Sequence, residues 1–154
     1  MMNIVLAILM AIGSFVAQFI QQKQSPLFDA PQQSEGVLTY RQPDYLRWEY
    51  TSPQALVWEL EGDKGNMPRS LKNMVMLIRE SIQGDFDNAA TSFEVKREGN
   101  MVTLIPKKRE LKHIFSSIAI TLNPETQVAD QVVMTESGGD VTTIYFTQVQ
   151  FTEP

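Results

Sequence analysis

"YLRWEYTSPQALVWELE", residues 45–61, decides the fold class. Its aromatic and branched residues recur at every second position, the spacing of a strand with one face buried. Leu46, Trp48 and Tyr50 share one face, with Tyr45, Arg47 and Glu49 on the other; farther on, Leu56, Trp58 and Leu60 line up in the same way. The spacing predicts strands over 45–51 and 55–61, separated at Pro53. Two tyrosines and a tryptophan between Pro43 and Pro53 form either a core strand or the wall of an apolar cavity.

The same period extends outward. "GVLTYR" (36–41) predicts a strand before this pair, and "GDKGN" (62–66) a turn after it. A change of period at 67–83 predicts an amphipathic helix, begun by Pro68 or Ser70 and striped by Leu71, Met74, Val75, Ile78 and Ile82, with Gly84 at its C-terminal cap. Period two then returns. "SFEVKRE" turns at "GN" (99–100) into "MVTLIPK", "SSIAITLN" turns at "PET" (124–126) into "QVADQVVMTE", and "SGGD" (137–140) leads into "VTTIYFTQVQF". Helices that do not alternate with strands exclude a doubly wound α/β fold. The expectation is a mainly β (α+β) domain, a curved antiparallel sheet with helices against one face.

The first twenty residues, "MMNIVLAILMAIGSFVAQFI", carry no charge. Three readings compete: a signal peptide lacking its positive start, a marginal membrane span, and a helix of the folded domain. The spacing of Ile4, Ala7, Ile8, Ala11, Phe15, Gln18 and Phe19 favours a helix over 3–23, apolar almost all round and so covered on several sides. Residues 1–13 are then a signal-peptide remnant or the start of that helix.

With 154 residues the chain is expected to be one domain, 1–154, large enough to bury a core without staples. It contains no cysteine, which excludes disulfides and thiolate metal sites. The net charge of −5 argues against a nucleic-acid partner. "KKRELKH" (107–113) is the local exception: it reads as a solvated loop or strand edge, or as a docking patch for an acidic partner. No catalytic constellation appears. The single histidine, His113, cannot build a multi-histidine metal site, and no nucleophile elbow or phosphate loop is present. The expectation is a non-enzyme without metal or cofactor.

Several segments together resemble the LolA-type carriers of bacterial lipoproteins. "SFVAQFIQQKQS" followed by "SEGVLTYRQPDYLRWEYTSP" supplies Phe15, Ala17, Phe19 and Gln21, then Gly36, Pro43, Asp44, Trp48 and Pro53 in the family's order. "GDFDNAATSFEV", "VTLIPKKRELKHIFSSIAITLN" and "GGDVTTIYFTQVQF" look like its later strands. The resemblance implies an unclosed β-barrel whose concave side is covered by helices. It further implies a monomeric carrier in the periplasm of a Gram-negative bacterium, taking lipoprotein acyl chains or another lipid from an inner-membrane release complex to an outer-membrane acceptor. The alternative use of the same fold is an envelope sensor or adaptor that docks a protein partner or glycolipid.

The residues expected to line the acyl cavity are Phe15, Phe19, Leu38, Leu46, Trp48, Tyr50, Leu56, Trp58, Met74 and Ile78, with Arg41, Gln42 and Arg47 at the lid or rim. Three departures from the family stand out. Gln42 occupies the position of an arginine latch, Leu46 replaces an aromatic, and the chain stops at Pro154 before the last strand of longer members. Burying an acyl chain of about fifteen methylenes is worth about 12 kcal/mol. A carrier therefore needs an equally apolar interior that its own side chains do not fill.

Overall fold

The computed structural model describes residues 14–41, 45–62, 64–68, 93–125 and 129–152, the last two by their backbone. Ten strands follow in chain order: β1 (Ser14–Gln24), β2 (Gln32–Arg41), β3 (Tyr45–Ser52), β4 (Leu56–Glu61), β5 (Lys64–Gly65), β6 (Phe93–Glu98), β7 (Met101–Pro106), β8 (Phe115–Leu122), β9 (Ala129–Glu136) and β10 (Val141–Thr152). One helical turn, α1 (Arg109–Lys112), joins β7 to β8.

All ten strands belong to one antiparallel sheet in the order β5-β4-β3-β2-β1-β10-β9-β8-β7-β6. The chain builds one half outward from β1, passes from the β5 edge to the β6 edge through residues 66–92, and builds the other half back to β10. The first and last strands meet in the middle. Among the described residues β5 and β6 do not pair with each other, so the sheet is unclosed.

The sheet bends strongly. β3 and β10 lie three strand intervals apart, about 14 Å between backbones in a flat sheet. Yet the rings of Trp48 on β3 and Phe146 on β10 are 6.5 Å apart, edge to face. Irregular pairing supplies part of the curvature. Opposite Ala17, β10 carries an extra residue, and Gln148 there takes a left-handed φ of 50°. A residue in that conformation opening a bulge bends its strand and increases the local twist. Further register shifts occur at Glu35/Gly36 and within the β8–β9 pair.

Alternation then sorts the side chains. Phe15, Ala17, Phe19, Leu38, Tyr40, Leu46, Trp48 and Leu60 from one half join Val102, Leu104, Ile118, Ile120, Val132, Ile144 and Phe146 from the other in a single buried cluster. The opposite, convex face carries half-exposed residues such as Thr39, Glu49 and Thr143.

The expected helix over 3–23 is corrected where it is described. Ser14–Gln24 is a strand at the centre of the sheet, paired with β2 on one side and β10 on the other. β1 carries apolar Val16 and Ile20 on its half-exposed face as well as Phe15, Ala17 and Phe19 on its buried one, a run that helical spacing also fits. Residues 3–13 lie outside the described residues. The helix expected over 67–83 does too, apart from Met67 and Pro68, which are not helical. The expectation of helices over the concave face is therefore not supported: the described helix is the single turn α1, with no buried residue. The strands expected over 36–41, 45–51 and 55–61 and the turn at 99–100 are observed.

Candidate functional site: the aromatic inner wall

The buried face of β1–β4 is a wall of stacked rings. Phe19 on β1 stacks on Trp48 on β3, centroids 4.2 Å apart and planes 29° from parallel. These strands are not neighbours, because β2 lies between them. The contact forms because β2 presents Gly36 opposite Phe19 and leaves the gap open. Tyr50 meets Phe19, Trp48 and Trp58 edge-on at 5.7, 6.2 and 5.5 Å. Phe15 lies against Tyr40, 5.7 Å away. Offset and edge-on geometries are those that the ring quadrupoles prefer.

Two polar groups interrupt this wall. The Tyr50 hydroxyl donates to Oε1 of Gln21 at 2.9 Å. Burial pushes the Tyr50 phenol above its ordinary value of 10.0, opposed by the adjacent Trp48 N–H and by Gln21. The Trp48 indole N–H lies near that hydroxyl but reaches no hydrogen bond of ordinary geometry, and it is fully buried. A buried donor without a partner is costly and rare.

Tyr50→Phe removes the bond to Gln21 and is expected to cost about 1 kcal/mol in urea unfolding. Gln21→Leu should cost a similar amount, and the double variant less than the sum. The raised phenol value gives the pH dependence its sign. The contribution is present below pH 10 and is lost as pH rises through the folded-state value, a loss that Tyr50→Phe abolishes. Additive single effects, or a stability-neutral Tyr50→Phe, contradict this account.

The expected lining residues separate into three groups. Phe15, Phe19, Leu38, Leu46 and Trp48 come together on the inner wall, with Tyr50 and Trp58 half-buried beside them. Trp48 and Leu46 are 0% exposed, so no water-sized space adjoins them. Leu56 stands at the end of β4 and is 46% exposed. Met74, Ile78 and Gln42 lie outside the described residues. Arg41 and Arg47 stand on the outer face rather than on the wall: Arg41 lies over the Tyr45 ring at 5.5 Å, and Arg47 pairs with Glu49 at 3.7 Å. Beside them the Tyr45 hydroxyl donates to Glu59 at 2.5 Å, which raises its phenol value. Sequence reasoning missed Phe146, although Ile144 and Phe146 show the same period-two signal. Among the described residues no group of His, Asp and Glu could hold a metal ion.

Residues 11–67 match the family model described as "Outer membrane lipoprotein carrier protein LolA". Over those residues, little more than a third of its length, the chain is similar to the LolA carriers. Its fold is shared with a LolA superfamily protein from Nitrosomonas europaea, at 9% identity and a TM-score of 0.50, with 99% of this chain and 94% of that one covered. It is shared also with a chain of the MucA/MucB complex of Pseudomonas aeruginosa, at 12% identity and a TM-score of 0.57. There 97% of this chain is covered but only 55% of the neighbour, so the chain spans little more than half of that protein's length. A structure of MucB alone gives a TM-score of 0.56 at 12% identity, covering 99% of this chain and 58% of that one. No curated protein sequence matches the chain.

Proposed function

We propose that this LolA-like chain is a non-enzymatic periplasmic carrier that takes up acyl chains of lipoproteins or other lipids against the inner wall and passes them toward the outer membrane. The observation that supports it is the wall itself: a continuous apolar and aromatic face on a sheet that stays unclosed. The unpartnered Trp48 N–H adds to it, because the carbonyl of an ester- or amide-linked acyl chain would satisfy that donor. The wall is packed against water, so loading has to displace whatever covers the rings, and that cost offsets part of the roughly 12 kcal/mol gained on acyl burial and keeps release feasible.

The test uses Trp48 as reporter. A Trp58→Phe variant removes the other of the chain's two tryptophans and leaves Trp48 as the single emitter. Titration with a fluorescent fatty acid, followed by displacement with a diacyl lipopeptide, is expected to shift Trp48 emission and saturate. Saturating lipid that leaves both the probe and Trp48 unchanged removes the proposal.

A second reading is a docking module for a protein partner, favoured by the match to a chain of the MucA/MucB complex. A defined partner that binds lipid-loaded and lipid-free protein with equal affinity supports this reading against the first.

A further inference from the structure

One end of the sheet presents an apolar tip beside a cationic segment. The β1–β2 connection, "SPLFDAP" (25–31), begins with a tight turn in which the Phe28 N–H donates to the Ser25 carbonyl at 3.1 Å. The Ser25 side chain, itself buried, accepts from the Leu27 N–H at 3.2 Å, and Pro26 presets the backbone at the first corner. This ordered turn holds out Leu27, 88% exposed, and Phe28, 48% exposed. Turn tips ordinarily carry polar residues, so two large apolar side chains displayed by a hydrogen-bonded turn need an occupant.

The neighbouring connections identify it. The β9–β10 turn (137–140) packs against this loop, with Pro26 within 3.5 Å of where a side chain on Gly139 would begin. On its other flank the same turn holds the α1 segment: the Ser137 N–H donates to the Ile114 carbonyl at 3.0 Å, and the Ser137 hydroxyl to the Lys112 carbonyl at 2.5 Å. The three connections therefore form one continuous surface. The α1 segment brings Lys107, Lys108, Arg109 and Lys112, all exposed, with Glu110 the single carboxylate among them. Lys23, at the end of β1, pairs with Asp140 at 3.6 Å and with Glu136 at 3.9 Å, the two carboxylates that flank the β9–β10 turn. Asp29 is the remaining acid of the loop. Leu56, exposed at the start of β4, stands at the same end of the sheet.

We infer that this end docks on the surface of an anionic lipid bilayer, with Leu27 and Phe28 entering the headgroup region and the α1 cations meeting lipid phosphates. Neither signal suffices alone. Brief apolar insertion binds reversibly, and a few cations attract only within a Debye length; together they give a stable but releasable contact. The chain's net charge of −5 makes the cationic end the part that an anionic surface would select, and so orients the molecule. This inference does not depend on the carrier reading, since it concerns the outside of the sheet end and not the inner wall.

The experiment is co-sedimentation of the full chain with vesicles of phosphatidylglycerol and phosphatidylethanolamine, against vesicles of phosphatidylcholine, at low and high salt. Binding is expected only to the anionic vesicles, weakening as salt rises. The double variant Leu27→Ser, Phe28→Ser, which changes only exposed side chains, is expected to lose about tenfold or more of the partitioning. Lys108→Glu with Arg109→Glu is expected to lose at least about fivefold per residue. Met101→Ser, at the opposite end of the sheet and 49% exposed, should bind as the unmodified chain does. No sedimentation with anionic vesicles at low salt overturns the inference, as does unchanged binding by the Leu27, Phe28 variant. Vesicle binding abolished by a soluble polyanion such as heparin, itself bound equally by that variant, also overturns it and assigns the surface to an acidic macromolecule.

Discussion

Replacing Trp48 by alanine is expected to destabilise the protein by about 4 kcal/mol, the cost of truncating a large, fully buried ring. Trp48 stacks on Phe19, touches Tyr50 and Phe146 edge-on, and lies in register between Leu38 on β2 and Trp58 on β4. It therefore joins the two halves of the sheet, and no neighbour can collapse into its space without breaking another ring contact. For a chain of this size the loss corresponds to a fall in Tm of roughly 8–16 °C. Trp58→Ala is the control: Trp58 is half-buried and among the described rings meets Tyr50 alone, so its loss should be less than half as large. Equal losses for the two tryptophans, or a Tm fall below about 3 °C for Trp48→Ala, would mean that Trp48 does not couple the halves.

Much of this wall was legible because β3 and β4 bury one face only. Their alternation places Leu46, Trp48 and Leu60 inside and Arg47 and Glu59 outside, and the structure puts them there. β1 was misread for the opposite reason. It is apolar on both sides, with Phe15, Ala17 and Phe19 inward and Val16 and Ile20 outward, so neither period dominates. The pattern Phe15-x-Ala17-x-Phe19-x-Gln21 nonetheless advances in steps of two, and all four residues lie on one face of the strand. Treated as spacing rather than as the end of a helix, it already describes β1.

Non-local geometry was out of reach. Nothing local in the sequence brings β1 beside β10, or Phe146 to the edge of Trp48, because both follow from the chain leaving one sheet edge and resuming at the other. The bulge opposite Ala17 is equally silent. Its left-handed residue is Gln148, where glycine or asparagine would have signalled it. Face assignment within a strand, by contrast, was legible. Arg47 is one residue from Trp48 and falls on the face of Tyr45 and Glu49, as the alternation of 45–51 predicts. One-residue parity, and not proximity, decides which side of a sheet a side chain serves.

Gly36→Ala is expected to cost about 3 kcal/mol, at the upper end of overpacking effects, although it adds only a methyl group. In register Gly36 lies between Phe19 and Tyr50, and a Cβ there would sit 2.5 Å from Cζ of Phe19 and 2.0 Å from the carbonyl oxygen of Glu49. The oxygen belongs to the backbone of β3 and cannot step aside without moving the strand. The ring is held on its far side by Trp48, so displacing it breaks the stack. Glycine within a strand thus marks a close approach that no other residue permits. The cause can be separated from a general loss of strand propensity. Phe19→Val combined with Gly36→Ala is expected to cost clearly less than the two single changes together, because the smaller side chain removes one of the two collisions. The Glu49 collision persists, so rescue is partial. Gly138→Ala, where an added Cβ meets nothing within 4 Å, should leave Tm nearly unchanged. Additivity at Phe19 and Gly36 would show that the methyl group does not act through the ring, and the explanation of how β1 reaches β3 across β2 would fail with it.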